Sequence, residues 1–192
     1  MINAYVKHSD VELVEILKRS KQDNNTRVSE DTFGELYRRY SAKILAYCRG
    51  LINDRSQSDD IFQEAFIKFY NSIDCNFSAA NVGGYLFRIA RNLSFNYLRD
   101  RKKTVSIEEF DFITDTVADY ENKELFDLVM KGIDLLDEKY KEAFVLSKLD
   151  GLSAQEIAEI CDITPEGAKT RIKRARVKLI EILEPYLKDI YK

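Results

Sequence analysis

The chain has 192 residues, 45% of them hydrophobic and 33% charged, which supplies apolar cores for one modest domain or two small ones and argues against disorder throughout. Its 7 Gly and 2 Pro are too few for a sandwich or barrel, whose turns recur about every 8 to 12 residues, so a mostly helical protein is expected. The net charge of -3, if evenly spread, argues against a general nucleic-acid binder.

Asp10 stands where it can cap a short helix carrying Val11, Leu13, Val14 and Leu17, which ends in the polar stretch from Lys21 to Arg27. A longer helix is predicted from about Glu30 to Asn53, with Phe33, Leu36, Tyr37, Tyr40, Ile44, Leu45, Tyr47 and Cys48 on its buried side. Ser56 or Ser58 caps a third helix through Ser72, whose apolar stripe leaves Asp60, Gln63, Glu64 and Lys68 partly outside. After a loop from Asp74 to Ala80, a fourth helix begins near Asn81 and buries Leu86, Ile89, Ala90, Leu93 and Tyr97. These four helices make a first domain.

Residues 104 to 127 then carry eight acidic side chains against Lys123 and show no clean helical period in their first half, as a linker would. The helical pattern returns from Leu125. Another helix begins near Asp137 and ends where Gly151 can take a left-handed conformation. Ser153 and Glu156 have the spacing of a capping box, a short helix follows to Cys161, and Thr164 with Pro165 caps and opens a longer one through about 183.

The short helix, the turn at Asp162 and Ile163, and the helix from Pro165 have the proportions of a helix-turn-helix. Ala168, Ile172, Ala175 and Leu179 are placed to face inward, and six cations against Glu166 give residues 164 to 180 a net charge of +5. Such a stripe can neutralise phosphates while residues near the helix N-terminus reach base edges. A helical hairpin with a solvated charged face has the same spacing. Residues 85 to 103 also carry +5, interleaved with Tyr85, Phe87, Phe95 and Tyr97. Cations along phosphates with rings under unpaired bases are what single-strand capture requires; core is the better reading for any single ring, and only the combination points to capture.

Catalytic assemblies are not in view: the sequence has no GxxxxGK loop and no HExxH, and His8, the single histidine, reads as an exposed bystander. No cofactor or metal is expected. Cys48, Cys75 and Cys161 read as free thiols in or near helical cores, in a reducing compartment. No leader or membrane-spanning run stands out, so an unexported, cytoplasmic protein without membrane insertion is expected.

Taken in order, these segments resemble the extracytoplasmic-function class of bacterial RNA polymerase sigma factors, which retain the second and fourth conserved regions. FGELYRRYSAKILAYCRGL from Phe33 is similar to the first helix of region two, and SDDIFQEAFIKFY from Ser58 to the segment that docks on the clamp helices of the polymerase β′ subunit. GYLFRIARNLSFNYLRDRKK from Gly84 resembles the minus-ten reading and melting segment, and LSAQEIAEICDITPEGAKTRIKRARVKL from Leu152 the minus-thirty-five helix-turn-helix.

The resemblance implies an all-α chain with region two at 1–103, an acidic linker at 104–124 and region four at 125–192. It implies a non-catalytic subunit that binds core polymerase through the β′ and β subunits, directs it to promoter DNA and promotes opening. Asp60, Gln63 and Glu64 would contact core. The loop from Asn76 to Ala80, with Phe77, would hold a flipped minus-ten base beside Arg88, Arg91 and Asn92, and Glu166, Lys169, Thr170, Arg171 and Arg174 would face the minus-thirty-five element. An anti-sigma factor is a further partner the resemblance allows. Tyr85 stands where the family often has Trp, and Asn96 where it often has Asp. A stand-alone dimeric helix-turn-helix regulator and a helical interaction protein without a DNA role are the competing readings.

Overall fold

The computed structural model describes residues 5–78, 81–104, 120–149 and 152–190. Those residues hold eight helices, and no strand occurs among them. The chain divides into two compact units, residues 1–99 and 100–192.

The first unit is built from α1 (Asp10–Gln22), α2 (Thr26–Leu51), α3 (Arg55–Ser72) and most of α4 (Val82–Thr104). Ser9 caps α1 in a full capping box with Glu12, so the expected cap at Asp10 moves by one residue. Asp10 is thereby released for other work. The turn into α2 is only Asp23 to Asn25, with Asn24 at φ 52, and Asn25 accepts a cap bond from the Val28 N–H. Because that turn is so tight, α2 starts at Thr26, ahead of the predicted Glu30, and Ser20 and Ser29 hydrogen-bond across the junction at 2.8 Å. Asp54 caps α3 through the Gln57 N–H, displacing the predicted Ser56 or Ser58; Ser58 is buried and donates to the Arg55 carbonyl.

Leu13, Leu17, Leu36, Ile44, Tyr47, Phe69, Leu86 and Phe87 form the buried centre of this unit. Tyr47 and Phe87 meet edge-on at 5.6 Å, fixing α4 to α2. One expectation about α2 fails. Tyr37 is 42% exposed, packing only one side of its ring on Phe62 and Phe66. Glu35, by contrast, is fully buried. Arg38 grips its carboxylate at 2.7 and 2.9 Å, and Arg39 adds a bond at 2.8 Å. Arg39 also reaches Asp10 at 2.7 Å and the carbonyls of His8 and Val6 at 2.8 and 3.0 Å. His8, expected as an exposed bystander, is therefore half-buried, its main chain tied to α2 and its ring beside Tyr5.

Asp10 also accepts from the Tyr40 hydroxyl, and that ring lies where a Cβ on Gly83 would stand, 2.6 Å from Tyr40 Cε1. The close approach of α4 to α2 thus requires glycine. Gly83→Ala should displace the ring and cost about 1 to 3 kcal/mol through overpacking, although alanine favours a helix by about 1 kcal/mol. Thermal melting checks this: a variant as stable as the parent would show that Tyr40 yields without loss.

The second unit contains α5 (Tyr120–Asp134), α6 (Glu138–Lys148), α7 (Ala154–Cys161) and α8 (Pro165–Ile190). The helical pattern expected from Leu125 is preceded by helix from Tyr120, because its first turn has no apolar period to betray it. Residues 105–119 of the expected linker, and Gly151, lie outside the described residues. Ile133, Leu136, Tyr140, Phe144, Ala175, Leu179 and Leu183 make a core in which α8 lies against α5 and α6. Ser153 and Glu156 form the predicted capping box, and Asp162 turns the chain at φ 57. The Thr164 hydroxyl accepts from the Gly167 N–H at 3.0 Å, opening α8 as predicted. That helix continues past 183 and carries Pro185 inside it.

Candidate nucleic-acid interface

Three surfaces collect the residues singled out in the sequence. On α3, Asp60, Gln63 and Glu64 are all exposed and share one face, since positions three and four apart adjoin on a helix. Glu64 pairs with Lys68 at 3.0 Å. One turn on, Ile67 is 60% exposed, an apolar side chain on the same face that the sequence reading passed over. The signal was available, because Ile67 falls off the buried stripe of Ile61, Phe62, Ala65, Phe66 and Phe69.

The second surface joins the loop after α3 to α4. Asn76 is exposed, and its N–H donates to the Asp74 carboxylate at 2.8 Å, an Asx turn. Phe77 is different: 9% exposed, it sits edge-on to Phe69 at 6.4 Å and to Tyr85 at 5.1 Å. Its ring anchors the loop and is not offered to a nucleotide. Ala79 and Ala80, also placed in that loop, lie outside the described residues. Through Phe77 and Tyr85 the loop is brought beside the first turns of α4, where Asn81 accepts from the Gly84 N–H at 2.7 Å. Arg88 and Asn92 are exposed; Arg91 is half-buried, 4.9 Å from the Phe95 ring centroid. Arg88, Arg91 and Asn92 lie on one face by their spacing. Of the interleaved rings, Phe87 belongs to the core, and Tyr85, Phe95 and Tyr97 are half-buried.

Beneath the loop lies a residue that sequence alone did not single out. Lys21, near the end of α1, donates to the carbonyls of Tyr70 and Ile73, and its ammonium stands 3.7 Å from the Tyr70 ring centroid. Burial pushes its pKa down, and the neighbouring Asp74 carboxylate opposes that shift. Cys75, expected near a core, is instead exposed in the loop, whereas Cys48 and Cys161 are buried. Burial pushes the Cys48 thiol up to about 12, which leaves it unreactive.

The third surface is α8. Glu166, Lys169 and Thr170 are exposed in its first turns, Arg171 is half-buried, and Ala168, Ala175 and Leu179 face the core as predicted, with Ile172 half-buried. Arg171, Arg174 and Lys178 form one row along the helix. The row meets the start of α6, where Arg174 holds the Tyr140 phenol below its ordinary pKa and Lys178 lies 4.9 Å from the same ring. Lys178 also pairs with Asp137 at 2.7 Å, which keeps that carboxyl below the usual range.

Comparison with known proteins completes the picture. Residues 36–104 match the family described as Sigma-70 region 2, and residues 126–179 match Sigma-70, region 4. The chain is 31% identical over 189 residues to the ECF RNA polymerase sigma factor SigW of Bacillus subtilis, covering 91% of this chain and 98% of that protein. It is 30% identical over 152 residues to the RNA polymerase sigma factor SigZ of the same organism, covering 78% and 86%. Among solved structures, the sigma factor RpoE of Bartonella quintana, determined in complex with the anti-sigma factor NepR, has the same fold. The TM-score is 0.67 at 23% identity, over 81% of this chain and 98% of that one.

Proposed function

Because the chain belongs to the extracytoplasmic-function class of RNA polymerase sigma factors, we propose that its three exposed surfaces divide the work of promoter-directed initiation among them. It is a promoter-specificity subunit whose partners are core RNA polymerase and promoter DNA; nucleotide addition belongs to the polymerase.

Asp60, Gln63 and Glu64, with Ile67 beside them, form the core-binding face of α3. Asn76 and the face of Arg88, Arg91 and Asn92 receive the non-template strand of the minus-ten element, with Phe77 as the buried anchor of the loop. Glu166, Lys169, Thr170, Arg171 and Arg174 face the minus-thirty-five element from α8. One observation carries the reading: each unit exposes cations along one helix, Arg88 and Arg99 on α4 and Lys169, Lys173, Arg174 and Arg176 on α8. In this reading region two occupies residues 1–103 and region four 125–192, with the acidic segment 104–124 between them in the sequence.

No helix among the described residues is long and apolar enough to cross a membrane, and the cytoplasm is where the polymerase would meet this subunit. An anti-sigma factor is the further partner proposed. Run-off transcription of genomic DNA with purified core polymerase tests the whole. Promoter-specific transcripts should appear only when the chain is added; tight duplex binding by the isolated chain without any transcript would instead support a stand-alone regulator.

A further inference from the structure

After α3 the described residues 73–78 are tied down at several points. The root of this loop is the end of α3, where the last carbonyls of a helix have no partner within the helix and carry its negative dipole end. The Tyr70 carbonyl accepts from the Ile73 N–H at 3.3 Å, and Lys21 adds to that bond. Its ammonium bonds the carbonyls of Tyr70 and Ile73, the latter at 2.9 Å, and rests on the Tyr70 ring, from a helix about fifty residues earlier in the chain. Ile73 itself is buried. In the middle of the loop, Asp74 accepts from the N–H of Asn76 through its side chain and from that of Phe77 through its carbonyl. At the far end, Phe77 is seated against Phe69 and Tyr85. Cys75, Asn76 and Ser78 are left exposed on a backbone fixed at three points.

A pocket for an unstacked base works best if its shape is set before the base arrives, because ordering a loop on binding subtracts from the affinity gained. We propose that Lys21 is a positioning residue for minus-ten recognition, holding the root of the loop so that Asn76 and its neighbours meet the flipped base in a fixed geometry. This rests on the assignment of the loop to the minus-ten strand. Lys21 itself touches no DNA in this scheme: its ammonium is engaged with the two carbonyls and the ring beneath them.

The test uses holoenzyme assembled from the full chain and core polymerase. The probe is a pool of fork-junction duplexes with a single-stranded non-template strand randomised through the minus-ten element. Bound molecules are sequenced and the base preference at each position is read. Wild type should enrich one base strongly at the flipped position. Lys21→Met, which keeps the stem and removes the charge, should flatten that position about tenfold while core affinity and preferences at the other positions persist. Lys21→Arg should restore most of it. Should Lys21→Met fail to fold, Lys21→Gln, whose amide is too short to span both carbonyls, serves in its place.

If Asn76→Ala flattens the position and the Lys21 variants do not, the positioning role is wrong and the loop assignment stands. If Asn76→Ala leaves the pool as wild type, the loop assignment itself is wrong. Weakened core binding together with uniform loss at every position in the Lys21 variants would reduce Lys21 to a fold-stabilising residue and overturn the proposal.

Discussion

Replacing Arg171 with alanine is expected to weaken minus-thirty-five recognition by about tenfold to a hundredfold while leaving core-polymerase binding intact, the range that loss of one bidentate arginine contact to guanine spans. The position earns this expectation from both ends of its side chain. Its backbone lies in the second turn of a helix whose start is set by the Thr164 cap and Pro165, so the part of α8 that enters a major groove includes it. The residue is half-buried, so its stem is held by neighbours and less freedom is lost when the guanidinium binds. Competition binding of holoenzyme to promoter fragments with intact and scrambled minus-thirty-five elements measures the effect. The variant should lose most of the difference between the two fragments. An equal fall in core affinity, or an unchanged preference for the intact element, would contradict the assignment.

Glu35→Gln should lower the stability of the first unit by about 2 kcal/mol at neutral pH, the size expected when charge-assisted bonds to arginine become neutral ones. For a unit of this size that corresponds to about 10 °C in Tm. The cause is an acid shielded from water whose oxygens are engaged by Arg38 and Arg39. The hydrogen bonds from Arg38 hold its pKa at about 2, well below the ordinary 4.5. A depressed carboxyl stabilises the fold above its unfolded pKa, so this contribution is complete above about pH 4.5 and is lost as pH falls towards 2. Denaturant melts of wild type and variant across that window should therefore converge as the medium is acidified. A gap that stays constant with pH would mean that the charge of Glu35 contributes nothing.

What could be seen in the sequence was chiefly local chemistry. The capping box at Ser153, the Thr164 and Pro165 start of α8, and the buried row of Ala168, Ala175 and Leu179 each depend on residues within a few positions of one another. Family resemblance then connected the segments to a function. Tertiary partnerships stayed hidden. An acid followed at three and four positions by Arg38 and Arg39 reads as a surface ion pair, and nothing nearby announces that Glu35 is covered. Phe77 looked like part of a DNA-facing loop because its neighbours are polar, yet its ring turns inward to Phe69 and Tyr85. Lys21 looked like one cation in a polar run; its partners lie on the far side of α2 in the chain. Ile67 is hidden for a simpler reason: an exposed aliphatic side chain leaves no electrostatic mark.

The pairing of Lys178 with Asp137 bears on how the protein would respond to ionic strength. A DNA-binding surface draws much of its affinity from the small cations it frees from the phosphate backbone, in proportion to the charges it brings. The sequence of α8 suggests six such charges between 169 and 178, but one is already balanced inside the protein at 2.7 Å. While Lys178 stays on Asp137 it frees no ion, and the release is about one ion smaller than the helix's composition implies, a slope shallower by about 0.9 in log affinity against log salt. Recognition through this unit would then lean more on fit to the bases, and lose less of its strength in a salty cell.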